Sequence, residues 1–85
     1  MSDEIRILQV NHNGWALITG CFEDYAYRVW AKDFRVMRTE ALNYAIIAYY
    51  GIVADCPIIQ YKTRDEANDA LLRLGSKIDN WEKGE

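Results

Sequence analysis

Histidine, proline and cysteine are nearly missing from this chain, and each scarcity removes a class of chemistry. In 85 residues there is one histidine, His12, and there are two cysteines, Cys21 and Cys56, 35 positions apart with no CxxC spacing. A zinc site needs three or four such ligands at suitable spacing, so no metal is expected. Two isolated thiols suit a reducing compartment better than a disulfide framework. Whether they form a single bridge depends on a Cα separation that sequence does not give. One proline and five glycines argue against a linker-rich chain, and no glycine-rich phosphate loop is present.

Long apolar runs are missing too. The longest, residues 44–50, has seven positions, against the roughly 18 of a membrane span. The start, Met1-Ser2-Asp3-Glu4, is acidic and lacks the basic residues and apolar stretch of a secretion signal. A cytoplasmic chain without a membrane partner is the expectation. Residues 1–85 are expected to form a single compact domain, with no internal repeat and no low-complexity segment.

Catalytic groups are equally sparse. His12 falls in a turn and Cys21 six residues along the next strand, on the order of 20 Å away, too far for a thiolate–imidazole dyad. Cys56 meets His12 only if residues 52–57 reach that turn. Cys21 reads as a small buried hydrophobe. Ser2 and Ser76 lie near a terminus and inside a helix, not in a strained elbow. Glu23, Asp24 and Asp33 could be paired acids, but Glu23-Asp24 reads as a turn. Asp65, Glu66 and Asp69 suit a helix N-terminus and an i,i+4 pair with Arg73 better than a cation. The expectation is a chain that is not an enzyme and holds no cofactor.

What is abundant is apolar and aromatic. Half the chain is hydrophobic, with six tyrosines and three tryptophans, a globular composition. Residues 4–10, 15–22 and 25–31 read as three strands, joined by Asn11-His12-Asn13-Gly14 and by Glu23-Asp24. Gly20 marks a bulge or a close backbone approach. Along 25–31, Tyr25, Tyr27, Val29 and Ala31 share one face, and Ala26, Arg28 and Trp30 the other. Residues 34–38 are a short fourth strand or an extended lead.

Residues 39–51, TEALNYAIIAYYG, are apolar on almost every side. Thr39 as N-cap, Glu40 in the first turn and Gly51 at the end predict a buried central helix. A strand over 44–50 is the competing reading, since isoleucine and tyrosine favour sheets. Residues 58–62 follow as the last strand, with Pro57 at its start. Thr63 and Glu66 then form a capping box. Ala67, Ala70, Leu71, Leu74, Ile78 and Trp81 make one stripe about 100° wide, predicting a helix to about residue 81 through Gly75. The expected fold is α+β: an antiparallel sheet of three to four strands against two helices, in the order β-β-β-α-β-α.

Charge is uneven. Net charge is −3, yet residues 25–64 carry six basic and three acidic side chains. Within 25–38, Tyr27, Arg28, Trp30, Lys32, Arg35 and Arg38 interleave aromatics with cations. This mixture is enriched at protein interfaces. It also suits stacking on bases with cations on phosphates, although net acidity opposes nonspecific nucleic-acid binding. A third possibility is that Tyr25, Tyr27 and Val29 face the core while the arginines are merely solvated. An uncovered apolar flank at Tyr49, Tyr50 and Ile52 would serve as an oligomer or partner surface. The reading is a small non-catalytic protein-binding module: an adaptor, an accessory subunit or an inhibitor, for instance a phage-type inhibitor of a host defence enzyme. The alternatives are a nucleic-acid binder using residues 25–38, and a subunit that completes another chain's active site.

Overall fold

The computed structural model describes residues 5–50 and 54–81. Among the described residues, six strands and one helix follow in chain order: β1 (Arg6–Val10), β2 (Ala16–Phe22), β3 (Tyr25–Ala31), β4 (Asp33–Arg38), β5 (Tyr44–Tyr49), β6 (Asp55–Tyr61) and α1 (Arg64–Asp79). They make two antiparallel three-stranded meanders, β1-β2-β3 and β4-β5-β6. The α+β class holds. The expected single sheet with two helices does not.

The correction lies in residues 39–49. They form a hairpin loop and the central strand of the second sheet. The cap chemistry read at Thr39 is real but serves a turn. Its Oγ1 accepts from the Ala41 and Asn43 amides at 3.2 Å each, and Leu42 N–H bonds Thr39 C=O at 3.0 Å. A threonine hydroxyl bonding nearby amides caps helices and turns alike. Beyond it, Ala45, Ile46 and Ala48 are fully buried. A strand packed on both faces reads as a continuous apolar run, which periodicity cannot tell from a buried helix.

The first hairpin uses the same loop geometry. Asn11 Oδ1 accepts from the amides of Asn13 and Trp15 at 2.9 and 3.0 Å. Asn11 N–H bonds Trp15 C=O, and Gly14 N–H bonds Asn11 C=O. Gly14 takes φ +89°. A turn followed by one left-handed residue makes the three-residue hairpin loop. In the second loop that left-handed position is held by Leu42, φ +66° and 65% exposed.

β3 runs into β4 with only Lys32 between, so one extended stretch borders both sheets. Lys32 N–H reaches Tyr49 C=O at 3.4 Å, opposite Asp33 in the ladder. The core lies between the sheets and under α1. Ala16, Ile18 and Phe22 point inward from β2, Tyr27 and Ala31 from β3, and Ile46, Ala48 and Ile58 from the second sheet; Ala70 and Leu74 close it from the helix.

β6 is tied to the first sheet by hydroxyls. A bulge in its ladder falls between the pairs Ile46↔Ile59 and Ile47↔Pro57, leaving Ile58 without a register partner. Tyr27 Oη donates to Ile58 C=O at 2.9 Å and Tyr25 Oη to Pro57 C=O at 3.1 Å. Proline is tolerated here because β6 is an edge strand beside a bulge. Gly20 makes the contact possible: a Cβ there would lie 2.5 Å from Tyr27 Oη.

The helix follows its expected boundaries closely. Thr63 Oγ1 accepts from Glu66 N–H at 3.2 Å. Asn80 ends the helix, its amide and side chain both bonding Ser76 C=O at 3.0 Å. No helix among the described residues is long and apolar enough to cross a membrane.

Candidate functional site: the outer face of the first sheet

Strand pairing decides which side chains of β1, β2 and β3 stand together on the side away from the core. Inward residues alternate along β2 and β3, so Leu17, Thr19 and Cys21 face out beside Trp30, Arg28 and Ala26, their cross-strand partners. β1 continues the rows, with Arg6 opposite Thr19 and Gln9 opposite Leu17. Leu8 falls in the β1 bulge between these pairs and is exposed. One row across the sheet is Arg6–Thr19–Arg28; the other is Gln9–Leu17–Trp30.

Among the described residues this face carries two arginines and no acid, in a chain whose net charge is −3. Trp30 is 38% exposed and Leu8 37%. Both are large apolar groups on a flat surface, with guanidinium groups alongside. Thr19 Oγ1 donates to Tyr27 C=O at 3.0 Å, so its hydroxyl is spent within the sheet. The face can bury apolar area against a partner and present cations beside it. Among the described residues it offers no general base with a nucleophile.

The six residues expected to form one basic–aromatic patch are dispersed. Tyr27 is in the core, bonded to Ile58, and is withdrawn from any surface. Arg28 and Trp30 share the outer face just described. Lys32 sits at the passage between sheets, lining an open hollow of about 460 Å³ with His12, Asp33 and Asp79. Arg35 belongs to the second sheet, its guanidinium 5.3 Å from the centre of the Tyr49 ring. Arg38 ends β4 beside a groove floored by Ala45, Ile47 and Pro57. Tyr49 is thus brought to Arg35, and its hydroxyl lies 3.6 Å from Met37 Sδ. Tyr50 is exposed after β5. Ile52 lies outside the described residues.

Other expectations resolve simply. Cys21 is exposed on the outer face, not buried as expected. It pairs with Ala26 next to the hairpin turn, on the side away from the core. Cys56 is half-buried on β6, where burial first and Asp55 second push its thiol above the ordinary range. Burial likewise raises Tyr25, with smaller contributions from Cys56, Glu23, Tyr50 and Asp24. No group of three or more metal-ligating side chains occurs among the described residues.

Arg6, Leu8 and Leu17 were not legible as site residues in the sequence. The only available signal was the imperfect alternation of β1, which the bulge at Leu8 produces. Comparison with known families, characterised proteins and solved structures finds no match.

Proposed function

We propose that this chain is a non-catalytic protein-binding module whose contact surface is the outer face of the first sheet. The observation that carries the reading is the gathering, among the described residues of that face, of Trp30, Leu8 and Leu17 at the centre with Arg6 and Arg28 beside them. Exposed tryptophan and arginine together on a flat surface supply the anchor types that dominate interface energetics. The partner is expected to offer apolar area flanked by carboxylates. An adaptor, an accessory subunit and an inhibitor all fit this description, and so does a subunit that completes another chain's active site.

Nucleic acid is the second reading, and the dispersal of the basic residues weighs against it. Tracking a phosphate backbone needs a connected cationic path. Here Arg28, Lys32, Arg35 and Arg38 lie on different surfaces of two sheets, and Tyr27 is unavailable for stacking.

The test is capture from the source organism's lysate with the wild type and with a Trp30→Ala, Arg28→Glu variant, each with and without nuclease. The expected result is a stoichiometric protein held by the wild type after nuclease and lost by the variant, whose circular dichroism melt is unchanged. Capture that vanishes with nuclease, or a partner the variant still holds, overturns the assignment.

A further inference from the structure

The two edges of the second sheet are treated differently. β6 is sealed: it carries Pro57, a bulge at Ile58, and the hydroxyls of Tyr25 and Tyr27 on consecutive carbonyls. β4 has none of these. Its six residues pair with β5 in unbroken register from Asp33↔Tyr49 to Arg38↔Tyr44.

The direction of its free groups follows from one bond. Thr39 N–H donates to Asn43 C=O at 2.8 Å, continuing the same register beyond Arg38. Backbone groups in an antiparallel ladder alternate sides. Residues 35 and 37 therefore turn toward β5 with Thr39, and Phe34, Val36 and Arg38 turn their N–H and C=O groups outward. No other described backbone group bonds them.

The side chains along this edge specify what could lie there. On one face stand Asp33 at the strand's start, Arg35, braced against Tyr49, and exposed Met37. On the other stand Phe34 and Val36, half-buried against the core, with Arg38 exposed at the end. Neither Arg35 nor Arg38 is ion-paired with a carboxylate among the described residues. Charged edge residues discourage chance pairing, yet they also select a strand of opposite charge.

We propose that β4 is a strand-addition site for an extended acidic segment of a partner protein, alternating acidic with aliphatic residues. Backbone bonds to Phe34, Val36 and Arg38 supply affinity. Carboxylates on the Arg35 face set the register, and aliphatic side chains on the opposite face continue the surface of Phe34 and Val36. This is peptide recognition by sheet extension. It stands apart from the outer-face reading: the surfaces belong to different sheets, and either can fail alone.

The probe is a capped heptapeptide of alternating glutamate and valine, titrated into the full chain and followed by amide NMR and hydrogen exchange. The Phe34, Val36 and Arg38 amides should gain at least tenfold protection. The variant Arg35→Glu should bind the peptide at least tenfold more weakly and bind the matching lysine–valine peptide instead. A backbone N-methylated peptide of the same charge should not bind. The proposal is overturned by unaltered exchange at these amides, by shifts confined to Leu17, Arg28 and Trp30, by equal binding of the methylated peptide, or by concentration-dependent protection without peptide, which would mean self-pairing.

Discussion

The two meanders open on the same hairpin loop and then diverge. Asn11-His12-Asn13-Gly14-Trp15 and Thr39-Glu40-Ala41-Leu42-Asn43 share no residue at any position, yet their hydrogen bonds correspond one for one. The shared element is a side-chain oxygen at the first position that takes the amides two and four residues on. Loop geometry therefore follows from that oxygen and one left-handed residue, whatever the letters between. The divergence is in what the outer faces carry. α1 packs on the core side of the second sheet, with Ala70 and Leu74 beside Ile46, Ala48 and Ile58. The outer face of the second sheet shows Arg35 held on Tyr49 beside Met37, whereas that of the first gathers Trp30, Leu8 and Leu17 with two arginines. That gathering is why the first sheet supplies the candidate contact surface.

The seam between the meanders is the place to break them apart. Gly20→Ala should have the largest effect, because the new Cβ would displace the Tyr27 hydroxyl and strand the Ile58 carbonyl. Overpacking of this kind costs about 1–3 kcal/mol, read from urea midpoints. Tyr27→Phe should lose part of that alone, by leaving a buried acceptor without its donor.

The loops can be sharpened by exchanging their left-handed residues. A side chain at such a position costs roughly 1–2 kcal/mol, so Gly14→Leu should lower stability by that order. Leu42→Gly should raise it by about 0.5–1 kcal/mol, strain relief being offset in part by glycine's added freedom when unfolded. If both changes leave the midpoint unmoved, the likeness of the loops is geometric only.

The smallest effect is pH-dependent. Tyr25 and Cys56 both sit at the seam, and burial raises both. The folded chain then holds these protons more tightly than the unfolded chain does. Their stabilisation is whole below the ordinary thiol range, near pH 8.5, and is lost as pH rises through the folded-state values. Urea melts at pH 7 and pH 10 should differ, and Tyr25→Phe with Cys56→Ala should reduce the difference.

Sequence made local features legible and pairing features obscure. β3 falls at its expected limits because a run of β-favouring residues is bounded by Glu23-Asp24 and Lys32-Asp33. α1 was announced by Thr63, Glu66 and a single apolar stripe. β5 was hidden because burial on both sides erases alternation, and Thr39 offered a cap that suits two structures. At the candidate site the faces of β3 were separable, and of the readings left open the one that set Tyr27 and Val29 toward the core matches the structure, while Tyr25 stays exposed. Tyr27 faces inward with Ala31 by strand alternation, and its hydroxyl there meets the Ile58 carbonyl beside the β6 bulge. Arg6, Leu8 and Leu17 joined Trp30 only through register, which no single segment encodes.

The passage from β3 to β4 at Lys32 has a further consequence for how the chain comes undone. Because no loop intervenes, fraying of either ladder pulls on the strand that borders the other, and neither sheet can melt privately. Denaturation should proceed as one all-or-none event with coincident tryptophan fluorescence and far-UV transitions. A few flexible residues spliced in after Lys32 should split that event in two, with the helix-covered part surviving longer.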